Sequence, residues 1–208
     1  MRKLFILFFI LSAGIFSAQA QTWQAGVRGG INVASIGGDY AENFKIKPGL
    51  VGGLFTEYKT GERAGFFLDI LFSQKGANYD SDGGGLNDNR LKLSYIDIPL
   101  GLTFYPVEQF GLYAGPQISL LAISKLKTGD KEDDYDRLET NDYGIVGGFR
   151  FKATPRLHFD LRYYHGLSDM SELNLALADS DGVTSSEVSE DFNRTASVTL
   201  SYALFTRE

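Results

Sequence analysis

Eight short runs of alternating apolar and polar residues, joined by connections that alternate between long and tight, constrain this chain more than any other feature. The runs lie at 23–34, 48–58, 64–74, 92–105, 110–122, 142–153, 156–166 and 192–205. Their period is two, the signature of strands, and the 3.6-residue helical period is nearly absent. Each run is close to the roughly 9–11 residues that a tilted membrane-spanning strand needs. The connections 59–63, 106–109 and 154–155 are tight, whereas 35–47, 75–91, 123–141 and 167–191 are long and polar. A soluble sandwich has no reason for that asymmetry. A membrane barrel does, with tight turns on the periplasmic side and long loops outside.

The two faces of each run differ in a consistent way. In 64–74, Phe66, Leu68, Ile70 and Phe72 oppose Asp69 and Ser73. In 92–105, Ile96, Ile98, Leu100, Leu102 and Phe104 oppose Tyr95, Asp97, Gly101 and Thr103. In 156–166, Leu157, Phe159, Leu161 and Tyr163 oppose His158, Asp160, Arg162 and Tyr164. In the last run, Val198, Leu200, Tyr202 and Leu204 oppose Ser197, Thr199, Ser201 and Ala203. Alternation alone says only that one face meets something apolar. The polar face, however, is rich in Gly, Ser and Thr, which suits a crowded lumen. Bulky aromatics on the other face suit a lipid-facing band. The expected fold is therefore all-β: an eight-stranded, antiparallel, up-and-down transmembrane β-barrel, with both termini on the periplasmic side. A soluble barrel with its apolar face inward is the alternative.

The first residues point to the same compartment. Arg2 and Lys3 precede an apolar run from Leu4 to about Ile15, and Ala18-Gln19-Ala20 follows. This reads as a secretory signal peptide at 1–20, leaving 21–208 as one barrel domain. The run is shorter than the roughly 20 residues of a spanning helix. No Cys occurs, so disulfides hold nothing together. The formal charge of −6 becomes −8 once Arg2 and Lys3 are removed. An acidic chain is a poor nucleic-acid partner. The expected surroundings are outer-membrane lipid, with a possible protein partner at the long outer loops.

Several segments resemble one family. Tyr95-Ile96-Asp97-Ile98-Pro99-Leu100-Gly101-Leu102 and Gly115-Pro116-Gln117-Ile118-Ser119-Leu120-Leu121 are similar to strand signatures of the outer-membrane barrels common in Bacteroidota, called PorT-like or "porin family". So are Asp142-Tyr143-Gly144-Ile145-Val146-Gly147-Gly148, Tyr163-Tyr164-His165-Gly166-Leu167-Ser168-Asp169 and Val27-Arg28-Gly29-Gly30-Ile31-Asn32. The resemblance spans the mature chain. It implies a barrel fold and an outer-membrane address, and no single activity.

If the apolar face is outside, a balanced set of charges points inward: Arg28, Glu57, Asp69, Asp97, Arg150, Lys152, Asp160 and Arg162. A charge in a narrow lumen needs a partner, because desolvating it alone is expensive. Adjacent strands bring Asp69 near Asp97, and Arg150 near Asp160 or Arg162. A barrel of this strand number is normally filled by side chains. The expectation is a plugged lumen of paired charges in a structural or interaction barrel. The alternatives are a narrow channel for ions or small solutes and, through the resemblance, an accessory to secretion across the outer membrane.

Other chemistry is thinly signalled. The only two histidines are His158, on the inward face with Asp160, and His165, near Ser168 and Asp169. No G-x-S-x-G or other nucleophile motif is present. No enzymatic activity, catalytic residue, cofactor or metal site is expected. Asp80-Ser81-Asp82-Gly83-Gly84-Gly85 and Asp179-Ser180-Asp181-Gly182 hint at calcium loops, but neither fits the EF-hand template. The segment 167–191 holds seven acidic residues and no Lys or Arg, so weak divalent-cation binding is the most its acids suggest.

Overall fold

The computed structural model describes residues 21–38, 44–45, 47–75, 78–79, 90–128, 131–134, 141–168 and 191–207. The signal-peptide segment 1–20 and both calcium-loop-like segments lie outside these residues. Eight long strands form the wall: β1 (Gln21–Gly38), β3 (Lys47–Thr60), β4 (Ala64–Lys75), β6 (Arg90–Val107), β7 (Phe110–Thr128), β9 (Asp142–Lys152), β10 (Leu157–Gly166) and β11 (Asp191–Arg207). Three short strands, β2 (Phe44–Lys45), β5 (Asn78–Tyr79) and β8 (Lys131–Asp134), extend the sheet at the long-loop end. Among the described residues there is no helix.

Each long strand pairs antiparallel with the next, and β11 pairs with β1, so the sheet closes on itself. Closure leaves the wall without an open edge, the condition for a sheet to cross a bilayer. The β1–β11 seam is long, running from Trp23↔Arg207 to Gly38↔Asp191 with one irregularity at Ala25/Gly26. The tight connections cluster at one end. Gly61, with φ of 126°, turns β3 into β4 in a conformation that a side chain would strain.

Burial is inverted relative to a soluble protein. The middle of the outer wall is aliphatic: Val27, Ile31, Leu54, Ile70, Leu100, Leu161 and Leu200 all stand exposed. Aromatics gather toward the tight-turn end, where Trp23, Tyr58, Phe66, Phe104, Phe110 and Phe151 form a girdle. Inside lie Arg28, Glu57, Asp69, Lys75, Asp97, Arg150, Asp160 and Arg162, all buried. This is an apolar band with an aromatic rim around a polar interior. The period-two pattern thus sorts the faces as expected. Six of the eight long strands overrun their expected ends, because ladder hydrogen bonds continue where the apolar signal has faded; β9 and β10 each fall one residue short at the turn that joins them.

Candidate functional site

The candidate site is the interior of the barrel. Strand alternation aims Arg28 (β1), Glu57 (β3), Asp69 (β4), Arg150 (β9) and both Asp160 and Arg162 (β10) at the axis. Their side chains meet across the lumen in one chain of alternating sign. The Tyr105 hydroxyl donates to Glu57 Oε1 at 2.5 Å, and Arg150 Nη1 donates to Glu57 Oε2 at 2.8 Å. Arg150 Nε donates to Asp160 Oδ1 at 2.8 Å. Arg28 reaches Asp160 Oδ2 at 3.5 Å, donates through Nε to Ser201 Oγ at 2.8 Å, and pairs with Asp69. Arg162 Nη2 closes the run on Asp69 at 2.6 Å, with its Nε 3.3 Å from the Tyr113 hydroxyl.

Three guanidiniums and three carboxylates therefore balance in one layer. Burial makes that balance matter. Removing a single member of a buried pair costs about 3–5 kcal/mol, because its partner stays charged and unpaired. Aromatic faces complete the layer. The Arg150 and Arg162 guanidiniums lie 5.5 and 5.4 Å from the Tyr113 ring centroid, and Arg28 lies 5.3 Å from that of Phe55. Gly148 leaves room for this ring, since a Cβ there would come within 2.7 Å of the Tyr113 hydroxyl.

A second cluster sits nearer the long-loop end. Lys75 Nζ donates to Asp97 Oδ1 at 2.8 Å and lies 4.6 Å from the Tyr164 ring centroid. Asn193 Nδ2 donates to Asp142 Oδ2 at 2.9 Å. A cavity lined by Lys75, Asp97, Gln117, Arg162 and Tyr164 measures only about 10 Å³, room for no more than one water.

Sequence comparison identifies the wall. The model of the "outer membrane protein beta-barrel domain" family matches residues 18–172. The chain belongs to this outer-membrane barrel family. Solved structures share the fold at low identity. Ail, the attachment invasion locus protein of Yersinia pestis, solved with the heparin analogue sucrose octasulfate, is 14% identical at a TM-score of 0.52, over 88% of this chain and 99% of its own. Neisserial surface protein A is 11% identical at a TM-score of 0.50, over 88% and 99%. No curated protein matches the chain in sequence.

Within this outer-membrane barrel, Arg150 meets Asp160 on the adjacent strand as expected. The neighbouring Asp69 and Asp97 instead take separate cations: Asp97 pairs with Lys75, and Asp69 with Arg28 and Arg162. Lys152 is half-buried and makes no ion pair among the described residues; its ammonium stands 4.0 Å from the Tyr105 ring centroid. Lys75 escaped the sequence reading, which placed it in the loop 75–91. It ends β4 on the inward face, and its parity with Asp69 and Ser73 is the signal that could have found it. Tyr105 and Tyr113, which fall within the runs 92–105 and 110–122, cap the two ends of the ion-pair chain.

The two histidines have different surroundings. His158 is buried, does not hydrogen-bond Asp160, and has its ring 6.2 Å from Phe55. His165 stacks on Phe192 at 6.3 Å, while Ser168 Oγ accepts from the Tyr143 amide at 2.9 Å. Asp169 lies outside the described residues.

Proposed function

We propose that this outer-membrane barrel is a non-conducting anchor of the interaction type, which carries no catalytic step and presents its long outer loops to a protein partner. The observation that supports this most is the neutral layer of three arginines and three carboxylates spanning the lumen. An ion-selective constriction would favour one sign in excess. Matched signs favour internal pairing. The loop chemistry favours a cationic partner surface, because 167–191 carries seven acids and no base. Ail was solved with a sulfated heparin analogue; the acidic loops here argue against a polyanionic ligand of that kind. The motifs around Asp97, Gly115 and Asp142 support placing the chain among the Bacteroidota PorT-like barrels, with 1–20 as its cleaved export signal.

The test is single-channel recording of the refolded barrel in a planar bilayer, with heat-modifiable gel migration confirming that it has folded. Silence from a folded barrel is the expected result. Steady, reproducible conductance steps would refute the sealed lumen and make a channel for small ions the leading function.

A further inference from the structure

The ion-pair layer is neutral, but the lumen on its tight-turn side is not. Both oxygens of Glu57 are taken, one by Tyr105 and one by Arg150. Both oxygens of Asp160 are taken as well, by Arg150, Arg28 and Ser201. Beyond them, the last inward positions before the mouth carry Lys59 on β3 and Lys152 on β9. Among the described residues, neither ammonium makes an ion pair. Instead they converge on one ring. Lys59 Nζ lies 4.2 Å and Lys152 Nζ 4.0 Å from the Tyr105 centroid, so their separation cannot exceed the sum of those distances.

Two like charges drawn together in a partly desolvated mouth repel more strongly than in water. Their attraction to the ring face offsets part of that repulsion. An anion between them would reverse its sign. A third group points the same way. His158, the register partner of Lys152, is fully buried, yet neither Nδ1 nor Nε2 has a hydrogen-bond partner. A buried imidazole normally satisfies at least one of its nitrogens. Both lysines are only half-buried, so a ligand can reach them from the periplasmic side without crossing the sealed layer.

We propose that the tight-turn mouth of the lumen is a binding site for a phosphate group, held between Lys59 and Lys152 with His158 behind them. Phosphate fits better than a carboxylate because three donors from separate strands suit a tetrahedral set of oxygens, and lysine binds phosphate well as a point charge. Free phosphate and the headgroup of a periplasmic-leaflet phospholipid share this chemistry. The site is independent of what the outer loops bind.

The experiment uses the folded chain in octyl glucoside micelles, which contain no phosphate, in chloride buffer. Inorganic phosphate is titrated calorimetrically, and short-chain phosphatidylglycerol is titrated separately. The expected result is saturable binding by at least one of them, weakened tenfold or more by Lys59→Gln and by Lys152→Gln. For inorganic phosphate, the exposed Arg207→Gln should leave the affinity unchanged. Saturation by phosphate assigns a soluble oxyanion; saturation by the lipid alone assigns a headgroup. Heat-modifiable migration verifies that each variant is folded. If wild-type barrel saturates with neither ligand, or if the lysine variants bind within twofold of wild type, the proposal is overturned. The wild-type titration decides even if a variant fails to fold.

Discussion

Replacing Asp69 with Asn tests the buried layer most directly. Asp69 accepts from Arg28 and from Arg162 Nη2, and its side chain is fully buried. The amide keeps the shape and removes the charge, so three guanidiniums then face only Glu57 and Asp160. Leaving a buried charge without its counterpart costs about 3–5 kcal/mol. Urea slopes for small proteins run at about 1–3 kcal/mol per molar. The midpoint of urea unfolding from lipid vesicles should therefore fall by about 2 M. A second variant separates charge balance from lost hydrogen bonds. Asp69→Asn combined with Arg162→Gln leaves two guanidiniums and two carboxylates, and should recover about half of the loss. Unfolding is followed by tryptophan fluorescence from Trp23, the single tryptophan. A midpoint within about 0.3 M of wild type, a small fraction of the expected shift, would refute the reasoning. It would mean that water screens the layer. A double variant whose loss equals the sum of the two single losses would refute the charge-balance argument alone.

Two further outcomes follow from the inverted faces. Leu161→Arg puts a charge on the lipid side in the middle of β10, where Leu161 is 52% exposed; it should destabilise the barrel in vesicles by about 2–4 kcal/mol, read by the same urea titration. Because the chain has no Cys, single labels are clean. A fluorophore on Phe72→Cys should be quenched by a lipid-resident quencher, and one on Ser73→Cys should not; equal quenching would contradict the assignment of faces.

The legible part of this protein was local. The alternation of Phe66, Leu68, Ile70 and Phe72 with Asp69 and Ser73 depends on neighbours in sequence, because a strand turns successive side chains to opposite faces. Strand number, connection lengths and the inward position of Arg28, Glu57 and Asp160 could therefore be read without coordinates. Lys75 could not be read so simply. It follows Gln74, where the apolar signal has ended, and only the continued pairing of Lys75 with Leu93 shows that the strand persists.

The sequence by itself determined which residues face lipid and which face the lumen, since that is set by a two-residue period. Strand adjacency also brought Arg150 to Asp160, but only the tertiary structure decided which charges meet across the lumen. Arg28 on β1 reaches Asp69 on β4, and Arg150 on β9 reaches Glu57 on β3. None of these strands is adjacent to its partner's strand in the sheet. Closure and the stagger of the strands bring distant inward positions to one height across a narrow lumen, and no spacing along the chain encodes that height.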